Sequence, residues 1–212
     1  MASQWKYKDV SLALRCSQLG QPDMKQTILS LTLLFFTNLL LGQELPDKIS
    51  ETDFSIGKTV YVKSKVLDET RELNIYLPSS YSADSIKTYP VIYLMDGSRD
   101  EDFIHISGIV QFGSFSWINM MPETIVVGIA NIDRKKDFTF PTKNIKDKQD
   151  YPTTGSSDIF IQFLDLEVKK LIEKNYRTDG HSSLIGQSLG GLLATQIFLQ
   201  HPELFNNYVI IS

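Results

Sequence analysis

The chain has 212 residues, 42% hydrophobic, 11% aromatic and 22% charged, a balance that suits one ordinary globular domain with a sizeable core. Its 21 Lys and Arg against 25 Asp and Glu give a net charge of -4, without the basic excess that neutralises a phosphate backbone, so nucleic acid is not an expected partner. Cys16 is the only cysteine, which excludes an internal disulfide framework, a CxxC redox pair and thiolate-rich zinc sites.

Residues 1–23 show little periodicity and precede a second start at Met24, so they read as an upstream extension or tail. From Met24 the chain carries one Lys, an apolar run from Ile28 to Leu41 broken only by Ser, Thr and Asn, and then Gly42, the shape of a secretory signal peptide over 24–42. The run is shorter than the ~20 residues that span a bilayer as a helix, and no lipobox cysteine follows it. An exported protein, periplasmic or secreted and without a membrane span in its mature form, is the expectation, with one domain over 43–212.

Within that domain Thr59–Val66 and Arg71–Leu77 alternate apolar with polar residues on either side of Asp68 and Glu69, which predicts an antiparallel hairpin. Pro90–Met95 and Thr124–Ala130 are continuous apolar runs, the mark of parallel strands buried on both faces. Glu101–Ile118 between them has helical spacing weakened by Gly108 and Gly113. Ser156–Tyr176 predicts the strongest helix, with an apolar face of Ile159, Phe160, Phe163, Leu164, Leu166, Leu171 and Ile172. Ser183–Gly186 then reads as a strand, Leu189–Gln200 as a helix ended by Pro202, and Tyr208–Ile211 as a last buried strand. Strands alternating with helices after an initial hairpin call for an α/β fold with a mostly parallel sheet flanked by helices.

The segment that carries chemistry contains G-x-S-x-G as Gly186, Gln187, Ser188, Leu189 and Gly190. A serine raised on a strained turn between strand and helix needs minimal side chains two residues before and after it, because bulk there meets the neighbouring backbone. Its hydroxyl then stands above the C-terminal edge of the sheet, and the following helix points unpaired N–H groups at the same spot, which suits an oxyanion. The apolar strand before the motif and the helix after it are the context it demands, and Ser188 is the candidate nucleophile.

Several stretches together resemble the esterase family of α/β-hydrolases that includes the enterochelin (siderophore) esterases, esterase D and the mycolyltransferases, with the siderophore branch nearest. They are Tyr89–Gly97 with its Asp-Gly ending, Val127–Thr139 with an Asp-Arg-x-x-Asp-Phe-Thr loop, Phe163–Tyr176, Ile185–Leu192 and His201–Phe205. Phe138-Thr-Phe-Pro141 departs from the family's Thr-Pro at that loop. The resemblance implies the α/β-hydrolase fold, a small-molecule ester substrate, and neither cofactor nor metal.

An oxyanion hole is expected from Leu189 N–H together with an N–H of the Gly97-Ser98 loop, Gly97 being the residue singled out; a turn glycine is its bland reading. Arg134 and Asp137 lie past the C-terminal end of the fourth strand, where open α/β sheets hold ligands, and are candidates for substrate binding or members of a solvated charged run. Phe138, Phe140 and Tyr151 are cleft-lining or core aromatics. The triad order is Ser, acid, His, yet after Ser188 only Glu203 and His201 remain, and His201 lies about 20 Å away along the elbow helix at ~1.5 Å per residue. His105 and His181 precede the nucleophile and read as surface residues.

The expectation is therefore a serine esterase whose sequence stops at the family's sixth strand, lacking the last strands and the loops with the acid and histidine, and inactive as it stands. A non-catalytic ligand-binding module of the same fold, or an acyltransferase, is the alternative.

Overall fold

The computed structural model describes residues 23–40, 45–81 and 86–212. Cys16 and the expected cleavage region around Gly42 lie outside the described residues. The chain divides into two compact units, residues 1–52 and 53–212. In the first, helix α1 spans Met24–Leu40, and Asp23 caps its start by accepting a hydrogen bond from Lys25 N–H at 3.1 Å. No helix among the described residues is long and apolar enough to cross a membrane. The described residues 45–56 are all exposed.

The second unit is built on a six-stranded sheet in the order β1-β2-β4-β3-β5-β6, comprising β1 (Lys58–Lys63), β2 (Thr70–Tyr76), β3 (Tyr89–Leu94), β4 (Ile125–Ile129), β5 (Thr178–Gln187) and β6 (Asn207–Ile211). The expected hairpin forms, with Lys58 opposite Ile75 and Lys63 opposite Thr70, and Asp68 turns it at φ 52°. β2 also runs antiparallel to β4, whereas β4, β3, β5 and β6 are mutually parallel. Central position explains the apolar runs: every residue of β4 is buried, since helices cover both of its faces.

Strand alternation sends Tyr76, Ile92, Leu94 and Val126 to one face, where helix α2 (Asp102–Gly113) packs Phe103 and Val110 on them. Ile75, Tyr93 and Val127 face the other way, under α3 (Arg134–Phe138), the long helical run from Ser157 to Asn175, and α7 (Leu189–Gln200). A short helix, α4 (Ile145–Asp150), lies in the segment that follows α3. Neither α3 nor α4 is visible as periodicity, being one or two turns long and mostly charged.

The run from Ser157 is three pieces, α5 (Ser157–Phe163), a π-helical segment Leu164–Lys169, and α6 (Lys170–Asn175). Its apolar face differs from the sequence expectation. Ile159 and Leu166 are 47% and 46% exposed, while Ile161 and Val168 are buried. The wider π turn brings residues five apart into line, so Phe163 and Val168 both face the sheet. The same turn aims Glu167 at the bend after β1, where Oε1 accepts from Lys65 N–H (2.8 Å) and Val66 N–H (3.2 Å) and Oε2 accepts from Ser64 Oγ (2.5 Å).

Partial burial opposes the charge on Glu167, but the Ser64 hydroxyl and the two amides outweigh it and hold the carboxyl below the usual carboxylate range. A depressed carboxyl contributes stability above its unfolded pKa and loses it as pH falls through the folded value. Glu167→Gln should therefore destabilise the protein by about 1–2 kcal/mol at pH 7, the worth of hydrogen bonds to a charged acceptor. Urea midpoints of the two proteins should converge as pH falls from the ordinary glutamate range through the depressed folded-state value, because the wild-type carboxylate is protonated only below that value.

Candidate active site

Ser188 stands between the end of β5 and the start of α7, exposed, with φ 56° and ψ -118°. This conformation is sparsely populated for a residue with a Cβ and costs of order 1–3 kcal/mol, so the surroundings must hold it. Two backbone hydrogen bonds do so: Ser188 N–H donates to Ile211 O of β6 (2.8 Å), and its carbonyl accepts from Leu192 N–H of α7 (2.9 Å). The glycines permit the turn by close approach. A Cβ on Gly186 would lie 2.2 Å from Gly190 O, and one on Gly191 would lie 2.6 Å from Ile211 O.

With Ser188 N–H spent on β6, the first free amide of the turn is Leu189 N–H, which has no hydrogen-bond partner among the described residues. The loop after β3 supplies the second candidate donor, but not at Gly97. Gly97 N–H donates to Ile129 O at 3.0 Å and its carbonyl accepts from Asn74 Nδ2 at 3.0 Å, so this peptide is locked onto the ends of β4 and β2. Its Cα also lies where a side chain would strike Gly128, 2.3 Å from the would-be Cβ. Gly97 is thus the close-approach residue of the loop, and the adjacent Ser98 N–H is the amide left unpartnered among the described residues. A cavity of about 370 Å³ opens beside Ser98, with Tyr61, Arg99, Asn131 and Ile132 in its wall.

Arg134 and Asp137, expected to meet substrate, are both committed elsewhere. Asp137 is 1% exposed and accepts from Arg71 Nη2 at 2.7 Å, inside the layer between sheet and helices. Burial pushes its carboxyl above the usual range although Arg71 pulls the other way. The same Arg71 bonds Glu69 and lies over the rings of Phe160 and Phe163 at 5.4 and 5.9 Å, a cation held by carboxylates and aromatic faces together. Asp137 therefore serves the core, turned inward by α3.

Arg134, the first residue of α3, grips Asp96 with both arms, Nε to Oδ1 at 2.6 Å and Nη2 to Oδ2 at 2.9 Å, and Nη2 also donates to Gln187 O at 3.1 Å. Asp96 is buried and holds a left-handed φ of 55° at the end of β3. Its role was not read from the sequence; the Asp-Gly ending of the strand was the available signal. Of the candidate aromatics, Phe138 is buried in an edge contact with Phe160, while Phe140 and Tyr151 are exposed and Lys135 sits 4.0 Å over the Tyr151 ring.

All three histidines are away from the nucleophile or exposed on other elements. His201 closes the far end of α7 with its Nδ1 3.9 Å from Glu203, His181 meets Asn207 near the start of β5, and His105 is exposed on α2. No group of His, Cys, Asp and Glu among the described residues is arranged to hold a metal ion.

The family model described as "Putative esterase" matches residues 64–212. Ferri-bacillibactin esterase BesA of Bacillus subtilis is 28% identical over 168 residues, covering 74% of this chain and 58% of BesA. The uncharacterized protein YbbA of the same organism is 32% identical over 150 residues, 67% of this chain and 56% of its own length. The chain thus spans little more than half the length of these curated relatives. Among solved structures, an IroE-like serine hydrolase from Shewanella oneidensis superposes with a TM-score of 0.64 at 34% identity, covering 73% of this chain and 49% of the other. A match over residues 64–212, which takes in the whole sheet from β2 onward and the turns at Asp96 and Ser188, means that this chain belongs to the esterase family of α/β-hydrolases.

Proposed function

We propose that the protein is a serine esterase in which Ser188 attacks the ester carbonyl, Leu189 N–H and Ser98 N–H hold the tetrahedral oxyanion, and water releases the acyl group. The single observation that carries this reading is the conformation of Ser188: an exposed hydroxyl on a left-handed residue at a helix N-terminus, held by β6 and flanked by glycines that nothing larger can replace. A module that only bound a ligand would gain nothing from that strain. Ser98 takes the role expected of Gly97 because the Gly97 amide is bonded to Ile129.

The family resemblance implies a histidine as the proton acceptor, and none of the described histidines lies beside Ser188. A siderophore ester is the proposed substrate class, supported by the sequence likeness to a ferri-bacillibactin esterase. The cavity beside Ser98 is the proposed seat for one side of the scissile ester.

In the full-length protein, Ser188→Ala should lower hydrolysis of p-nitrophenyl acetate and of an ester-linked siderophore by at least about a thousandfold and remove labelling by a fluorophosphonate, with unchanged circular dichroism. Turnover that survives the substitution would assign the chemistry to another residue. Absence of both turnover and labelling in the wild-type protein, with siderophore binding retained, would instead favour the ligand-binding alternative.

Export is proposed from the apolar run of α1, which lacks the length to remain as a span. Expression from Met24 in a bacterial host should give an exported protein whose N-terminus lies near Gln43 by mass spectrometry, and retention of Leu29–Phe36 would overturn this.

A further inference from the structure

Two strained residues border the site, Asp96 at φ 55° after β3 and Ser188 at φ 56° after β5, and a single guanidinium joins them. Arg134 holds the Asp96 carboxylate bidentately and reaches the carbonyl of Gln187, the residue before the nucleophile. Asp96 is tied further: Asn131 Nδ2 donates to Oδ1 at 2.7 Å, and its backbone carbonyl accepts from Asp102 N–H, the first residue of α2. The loop carrying Ser98 runs between these two anchors. On its other side the carboxylate lies against the first turn of α7, where a Cβ on Gly190 would be 3.0 Å from Asp96 Oδ2.

This placement sets a problem that Arg134 solves. A carboxylate against the first turn of α7, one residue from the Leu189 amide, opposes any negative charge that develops there, and burial leaves it little water for screening. Left unpaired it would also be a buried charge in its own right, which folded proteins do not tolerate without a partner. A bidentate arginine cancels the charge and, through Gln187 O, fixes the loop after β3 and the turn before Ser188 in one register.

We propose, on the reading that Ser188 and the two amides perform ester hydrolysis, that Arg134 is a positioning residue which neutralises Asp96 beside the oxyanion pocket and locks the two halves of that pocket together, and that it does not bind substrate. Three of its five N–H donors, those on Nε and Nη2, already go to the protein, and its charge is already paired with Asp96.

The test is steady-state kinetics of the full gene product on p-nitrophenyl acetate, which has no charged acyl group for an arginine to recognise. Arg134→Gln should lower kcat about a hundredfold, the cost of an ångström-scale misplacement, and leave KM within about threefold of wild type. Arg134→Gln combined with Asp96→Asn should regain about tenfold of that loss, because the unpaired charge is gone although the clamp is not restored. Arg134→Lys, which keeps the charge and loses the bidentate fork, should fall between wild type and Arg134→Gln.

A raised KM confined to anionic esters, with kcat on p-nitrophenyl acetate intact, would overturn the proposal and make Arg134 a substrate contact. A kcat loss that the added Asp96→Asn does not relieve would overturn it as well. The underlying function fails differently: wild-type turnover that persists in Ser188→Ala would remove the oxyanion pocket from the argument altogether.

Discussion

Holding Ser188 in a left-handed conformation is the constraint on which the rest of this structure depends. The strain of that turn, of order 1–3 kcal/mol, must be met by interactions that a relaxed loop would forfeit. They come from three directions: β6 takes the Ser188 amide, α7 takes its carbonyl, and Arg134 takes the carbonyl of Gln187 just ahead of it. Each of those elements is anchored in turn. β6 pairs in register with β5 from Ser183 to Gln187, and α7 packs Leu193, Ala194 and Ile197 into the core. The serine is presented by the sheet, and its exposure is the only freedom left to it.

The loop after β3 repeats this logic on the other side of the pocket. Asp96 is left-handed, Gly97 is pinned by both of its peptide groups, and Ser98 is the first residue whose amide escapes the network. Asn74, which fixes the Gly97 carbonyl, is itself held by Thr59 of β1, so the hairpin at the sheet's far edge reaches the site through side chains. A chain of polar contacts therefore runs from β1 to the proposed oxyanion pocket, through groups buried enough that each needs its partner.

Charge is handled in two layers. Arg71 sits deep between sheet and helices with Asp137 and Glu69, over two phenylalanine rings, and joins β2 to α3. Arg134 sits one turn away at the start of the same short helix and joins α3 to the site. The contacts are made one turn apart, Asp137 turning into the core beside buried Phe138 while Arg134, at the helix start, reaches Asp96 and Gln187 O. A run that looks like a solvated charge cluster in one dimension thus places one ion pair in the core and another beside the site.

Elements whose signal is local are legible along the chain. Buried strands appear as apolar runs such as Ile125–Ile129, the hairpin as alternation around Asp68, and the nucleophile as a serine between glycines whose spacing is a steric requirement of one turn. The order of strands and helices then fixed the α/β class, because right-handed parallel crossovers leave few alternatives. What tertiary structure alone decided is where each polar group spends its hydrogen bonds. Arg134 and Asp137 are three residues apart and chemically alike as ligand candidates, yet α3 turns one to Asp96 and the other to Arg71, 66 residues away in the chain. Gly97 and Ser98 are neighbours, and only the register of β3 against β4 says which amide is already taken. The π turn likewise moved the buried face of the long helix from Leu166 to Val168. Periodicity reports which residues avoid water; the pairing of donors with acceptors is settled between segments distant in sequence, and no local pattern carries it.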